Sequence, residues 1–299
     1  MNFKTNPKTI VVATDLNGRA DGALAYARKL ALAFGARVVL AHSLDPMEYA
    51  AVDSVSGELR QGLSEEARTV LDGLSADLIR NGIHSHSEVR QGAVTQTLVD
   101  VAVQYDADLI LVGTKGGKGV GPVVVGSVAE QLVRQAPCPV LAVAADWSAG
   151  GNRPTPGGGA VMLAMERNEA TESAVASAAA LAETLERPLV LVHARDLAGP
   201  ATPKPCITVL EDFDALKKIR DRVQCIVKDG KPEAAIPVAI EELRPSLLVI
   251  GAKRTSGTPG PHGTAFQLMA RSKVPVMCVP PQGASRGVKR EASVRVEVE

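Results

Sequence analysis

Aromatic side chains make up only 3% of the 299 residues, which leaves few flat faces on which single-stranded bases could stack. Charge of one sign is missing as well. Lys plus Arg total 33 and so do Asp plus Glu, so no overall field draws the chain to nucleic acid or to an anionic membrane. Any anion it binds has to be caught by a local arrangement. No apolar run nears the roughly 18 residues that crossing a bilayer requires, and the opening MNFKTNPKTIVVATD has no apolar stretch leading to a cleavage site. The four cysteines, Cys138, Cys206, Cys225 and Cys278, lack metal-ligand spacing. Three of them sit in or beside apolar runs, where a free thiol packs as a small hydrophobe. Together these absences predict a cytoplasmic protein in a reducing compartment, with no inserted segment.

What is present is enough apolar material for two cores: 45% of a chain about twice the usual single-domain length. The sequence also repeats. A shift of 151 lays TIVVATDLN (9 to 17) on AVMLAMERN (160 to 168) and RVVLAHSLD (37 to 45) on PLVLVHARD (188 to 196). A shift of 138 then lays Val89, Gly92, Leu109, Gly113 and Lys115 on Val227, Gly230, Leu247, Gly251 and Lys253. Near the end a shift of 136 lays APCPVLAV on SKVPVMCV. Matching segments in one order throughout indicate duplication, with a shorter second copy. The expected organisation is a first domain over 1–147, a Gly/Pro linker over 148–159, a second domain over 160–281 and a disordered tail over 282–299.

Within the first copy, short apolar runs alternate with helical patterns. Strands are expected at 9–15, 37–42, 84–89, 108–113 and 139–144, and helices at 18–35, 58–81, 93–105 and 126–135. Such alternation predicts an α/β fold with a parallel sheet covered on both faces. In the second copy Pro200, Pro203 and Pro205 leave only a short helical stretch around 208–220.

After the strand at 108–113 the chain runs Gly113-Thr-Lys-Gly116-Gly117-Lys118-Gly119-Val-Gly121-Pro-Val-Val-Val-Gly126-Ser127 and then enters a helix. Glycines let backbone N–H groups approach an anion, and the helix that follows adds its unpaired donors and the positive end of its dipole. Lys115 and Lys118 could neutralise outer phosphates. The same composition suits a plain surface connector, and the loop by itself leaves both readings open. Neither a Walker A motif nor a dinucleotide fingerprint is present, since Gly119 follows Lys118 and Val112 stands where the first Walker glycine would be.

The spacing of Gly113, two residues, Gly116, nine residues and Gly126-Ser127, together with Asp15 ending the first strand, closely resembles the universal stress protein family. The resemblance extends over nearly the whole chain as two family domains. It rests on VVATD (11 to 15), VLAH (39 to 42), LVGTKG (111 to 116), GS (126 and 127) and PCPVLAV (137 to 143). It implies two tandem doubly wound domains of the adenine-nucleotide-binding type, each with a five-stranded parallel sheet in the order 3-2-1-4-5. The ends of strands 1 and 4 would then meet at the switch point where such sheets bind ligands.

Carried over from ATP-binding members, the resemblance implies that Ala13, Thr14 and Asp15 contact adenine and ribose, with the Ser43 backbone beside the base. Val112 and Gly113 would flank the ribose and α-phosphate. Gly116, Gly126, Ser127 and Val128 would hold the phosphates through backbone N–H groups and the Ser127 hydroxyl, with Mg²⁺ or Mn²⁺ bound through the phosphates. Asp15 also reads simply as a helix N-cap or a turn residue after the strand. The resemblance further implies that the two domains pair through their last strands, PVLAVA and PVMCV, and that whole chains associate as homo-oligomers.

In the second copy Glu166 replaces Asp15 and Arg254 replaces Gly116, and the loop over 251–264 contains Pro259 and Pro261. No ATP is expected there. His84 and His86 share one side of a strand but read as a solvated face rather than metal ligands. His42 and His193 read as strand-end residues that need only a local hydrogen bond, with no catalytic role. Three functions remain open at this point: an ATP-binding regulatory protein of the stress class, a slow ATPase or phosphoryl-transfer enzyme, and a nucleotide-independent interaction scaffold.

Overall fold

Thr9–Ala13 (β1) is apolar after its first residue and buried at every position. That pattern belongs to a parallel strand covered on both faces rather than to one with a solvated side. The computed structural model describes residues 7–18, 20–46, 57–114, 126–145, 147, 159–166, 169–196, 211–252, 263–272 and 274–281. In the first copy β1 is followed by Asp21–Phe34 (α1), Arg37–Leu44 (β2), Gly57–Arg80 (α2), Ser85–Gln91 (β3), Val94–Gln104 (α3), Leu109–Thr114 (β4), Ser127–Gln135 (α4) and Val140–Ala144 (β5). The second copy gives Val161–Met165 (β6), Thr171–Thr184 (α5), Leu189–Arg195 (β7), Asp214–Lys217 (α6), Val223–Asp229 (β8), Pro232–Leu243 (α7), Leu247–Gly251 (β9), Thr264–Arg271 (α8) and Val276–Val279 (β10). The four-residue α6 stands where the first copy has the 24-residue α2, so the shortening falls there. Most of the linker, the tail over 282–299 and the central part of the Gly/Lys loop lie outside the described residues.

The strands form one ten-stranded sheet in the order β3-β2-β1-β4-β5-β10-β9-β6-β7-β8. Each half therefore has the expected 3-2-1-4-5 order, and the second runs as the mirror sequence of the first. All pairings are parallel except that between β5 and β10, where Leu141 faces Met277 and the two halves join edge to edge. Apolar strand edges left open would template aggregation. Here Val140, Leu141, Val276, Met277 and Cys278 are each 1% exposed.

Two apolar layers lie on the two faces of this sheet. Ile10 and Val12 join one layer with the buried sides of α1, α2, α5 and α6, while Val11 and Ala13 join the other with α3, α4, α7 and α8. The alternation follows from the two-residue period of a strand. In α1, Ala23, Tyr26, Ala27, Leu30, Ala31 and Phe34 are buried at the spacing that puts them on one helical face. Gly35 ends the helix in the left-handed region, φ 61°, with its N–H bonded to the Ala31 carbonyl. Cys138 and Cys278 are buried free thiols, and burial pushes both upward in pKa. Cys225 is half-buried, and Cys206 lies outside the described residues.

Two contacts fix the first copy's central strands and its first helix. The buried Asp108 carboxylate, just before β4, accepts the Lys8 N–H at 2.7 Å and the Thr9 N–H at 3.1 Å, which pins the start of β1 beside β4. At the start of α1, a side chain on Gly22 would place its Cβ 2.1 Å from the Ala144 carbonyl oxygen. That glycine is required for close approach of helix to strand. Trp147, the chain's one tryptophan, is buried with its ring 4.9 Å from Tyr26 in an edge-on arrangement. Gly22→Val is expected to lower stability by about 1–3 kcal/mol. Urea unfolding followed by Trp147 fluorescence measures this, and an unchanged midpoint would refute the packing constraint.

Candidate functional site

The chain leaves β1 at Ala13 and turns sharply before α1. The turn is held by its own side chains: Leu16 N–H donates to the Thr14 hydroxyl at 3.1 Å, and Asn17 N–H donates to the Asp15 carboxylate at 3.2 Å. Leu16 takes a positive φ of 58°, and Gly18 follows at 78°. Asp15 thus fills the turn role as well as facing the cleft. His42, on β2, places Nδ1 2.9 Å from the Thr14 carbonyl oxygen, and the Thr14 N–H donates to the Ala41 carbonyl at 3.0 Å. Each strand end therefore holds its neighbour.

The cleft opens where β1 and β4 part. Helices α1 and α2 pack on one face and α3 and α4 on the other, so the crossovers diverge at this pair. The resulting hollow, about 280 Å³, is lined by Ala13, Thr14, Asp15, Ser43, Val112, Gly113, Gly126, Ser127 and Val128. Nine of the ten residues singled out in the sequence therefore surround one space, while Gly116 lies outside the described residues. Strand β1 ends at Ala13, so Thr14 and Asp15 lie just past it. Gly113 is the next-to-last residue of β4, one position earlier than its expected place at the strand end.

The two sides of the cleft differ in character. At one side Ala13, Ala41, Val94, Leu98 and Val112 make an apolar slot, and the Ser43 hydroxyl is turned away to donate to the Gly92 carbonyl at 2.8 Å. Ser43 thus presents backbone rather than hydroxyl. At the other side stands the N-terminus of α4, where first-turn N–H groups have no partner within the helix. Gly126 caps this helix at φ −60° and ψ 141°, an extended conformation open to any residue, and a Cβ there would meet nothing within 4 Å among the described residues. Neither backbone strain nor packing in the described protein demands glycine at 126.

His42, Val94 and Leu98 line the cleft although the sequence reading did not place them there. Val94 and Leu98 are four apart on α3, so the apolar periodicity of that helix carried a usable signal. His84 and His86 do not gather ligands: His86 lies on β3 with Nε2 3.4 Å from Glu88 and its ring 5.5 Å from that of Tyr105. No group of three His, Cys, Asp or Glu side chains able to hold a metal occurs among the described residues.

The second copy has a cleft at the corresponding switch point, about 150 Å³ in volume. Glu166, His193, Gly251 and Thr264 line it where the first copy has Asp15, His42, Gly113 and Ser127. Gly263 caps α8 at φ −71° and ψ 139°, much as Gly126 caps α4. This retained Gly-Thr pair escaped the sequence comparison because the loop before it changes length. Arg254 and Lys253 lie outside the described residues.

Two stretches of the chain, 6–144 and 159–280, match the model of the universal stress protein family. A universal stress protein of Thermus aquaticus is 30% identical over 137 residues, which are 46% of this chain and 98% of that protein. One from Methanocaldococcus jannaschii is 32% identical over 138 residues, 46% of this chain and 81% of that protein. The solved structure of a universal stress protein from Archaeoglobus fulgidus superposes with a TM-score of 0.74 at 16% identity, covering 91% of this chain and 98% of that one. At that identity the superposition establishes the fold.

Two substitutions separate structural from ligand-facing roles at the cleft. Ser43→Ala is expected to cost about 0.5–1.5 kcal/mol by leaving the Gly92 carbonyl without its hydroxyl donor. Gly126→Val is expected to stay within about 0.5 kcal/mol of the parent. Thermal unfolding of both variants tests the contrast, and a severe loss in Gly126→Val would show that the glycine serves the fold.

Proposed function

The chain belongs to the universal stress protein family, and from that membership we propose that it is an ATP-binding regulatory protein with one nucleotide site, in the first copy. The observation that carries this reading is Gly126: a glycine that neither its backbone angles nor its described neighbours require, at a helix N-terminus, facing a cleft with an apolar slot at its other side. Absence of a side chain there serves whatever approaches from the cleft. A phosphate is the group that a helix N-terminus recognises.

In this reading adenine enters the slot between Ala13, Ala41, Val94, Leu98 and Val112. Asp15 and the backbone around Ser43 flank ribose and base. Gly113, Gly116, Gly126, Ser127 and Val128 meet the phosphates, the Ser127 hydroxyl donating to an oxygen. The described residues offer no cluster for a metal ion. Mg²⁺ or Mn²⁺ would arrive with the phosphates, neutralising their charge.

A binding role fits the polar groups better than turnover does. The Asp15 carboxylate takes the Asn17 N–H, and His42 Nδ1 pairs with the Thr14 carbonyl, so both help to shape the loop. Occupancy would shift the population of states by whatever affinity difference ATP has between them. Association of whole chains would use surfaces other than β5 and β10, which already pair within the chain. No helix among the described residues is long and apolar enough to cross a membrane.

Denaturing the purified chain to release carried-over nucleotide, then titrating the emptied protein with ATP and Mg²⁺, tests the proposal. About one ATP per chain is expected, with affinity lost in Gly116→Arg and weakened at least tenfold in Gly126→Val. No detectable binding would favour the scaffold function and reduce the loop to a connector. Release of ADP and phosphate at a steady rate would favour the ATPase.

A further inference from the structure

The two clefts differ most where a phosphate would sit. In the first copy, the second residue of α3 is Thr95, a neutral side chain whose hydroxyl donates to Gln131 Oε1 on α4 at 2.7 Å. The repeat places Glu233, on α7, at the position of Thr95. Its carboxylate lies beside the start of α8, where the Thr264 hydroxyl donates to Oε1 at 3.3 Å. Thr264 is the counterpart of Ser127. The N-terminus of α8, built like that of α4 and capped by Gly263, is therefore already faced by a negative group from within the chain.

The remainder of the second cleft keeps the features of a base and sugar site. Ala164, Ala194, Ile236 and Ile250 form apolar walls, and Glu166 stands at the mouth where Asp15 stands in the first. An ionised carboxylate is a hydrogen-bond acceptor suited to the hydroxyls of a ribose. The hollow is about 150 Å³ against 280 Å³, in keeping with a shorter ligand.

We propose that the second cleft binds an unphosphorylated nucleoside, with the Glu233 carboxylate occupying the place of a phosphate and excluding phosphorylated forms. The inference rests on the reading of the first cleft as an adenine-nucleotide site. An incoming phosphate would meet a like charge at short range and compete with it for the Thr264 hydroxyl. A nucleoside meets neither obstacle. The chain then senses two forms of one compound class, the nucleotide in one half and the nucleoside in the other.

Equilibrium dialysis of the full chain with adenosine or AMP, in saturating ATP and Mg²⁺ to fill the first cleft, is the test. One adenosine per chain is expected alongside one ATP, with AMP at least tenfold weaker than adenosine. Glu233→Gln is expected to narrow that ratio at least tenfold. Ala194→Trp, which blocks the second cleft, is expected to remove adenosine while ATP stoichiometry stays at one, showing that the variant is folded. Two ATP per chain, AMP equal to adenosine in the parent, an unchanged ratio in Glu233→Gln, or adenosine still held by Ala194→Trp would each overturn the proposal. Titration with ATP alone reads the first cleft. If ATP binds once and adenosine does not bind, only this inference falls, whereas failure of ATP to bind removes the premise of both.

Discussion

Everything at the first cleft depends on β1 and β4 lying side by side while their crossovers leave for opposite faces of the sheet. The hydrogen bonds from Lys8 and Thr9 to the Asp108 carboxylate hold the two strands at their buried starts. At their other ends the strands part, because α1 and α2 pack on one face and α3 and α4 on the other. A hollow at that point is thus a property of topology before any side chain is chosen. The side chains then divide it into an apolar slot and a helix N-terminus, and the turn from Thr14 to Gly18 sets its rim.

Duplication repeats the topology, so it repeats the hollow. What it does not preserve is the charge beside the N-terminus of the helix that follows each glycine cap. Replacing Thr95 by Glu233 moves one carboxylate onto a neighbouring helix, and that change reaches the cleft because α7 and α8 pack together on the same face. The slot, the strand-end carboxylate and the glycine cap persist. The two copies diverge in architecture at α2 and α6, and at the switch point in charge.

Much of this was legible in the sequence because it follows local rules. Fully buried parallel strands appear as unbroken apolar runs such as IVVA and LILV, and the Gly35 cap marks the end of α1. Residues adjacent to glycines in the loop were also readable, since Gly113, Gly126 and Ser127 lie close together along the chain. Glu233 was not readable. Its significance comes from a contact with Thr264, 31 residues away, and no periodicity reports which helix ends will meet. Val94 and Leu98 fall between these cases: their spacing indicates a buried face, but only the crossover identifies that face with the cleft. Gly116, central to the family pattern, lies outside the described residues, and its role rests on the sequence.

The antiparallel join of β5 to β10 has a consequence beyond covering two apolar edges. Two separate copies of one polypeptide joined in this way would carry identical sites, because one gene would encode both halves and every substitution would appear twice. Covalent linkage removes that symmetry requirement, and it also supplies the partner edge at a fixed effective concentration that dilution cannot reduce. One half is therefore free to diverge at its cleft while the other keeps its own residues, without loss of the shared sheet.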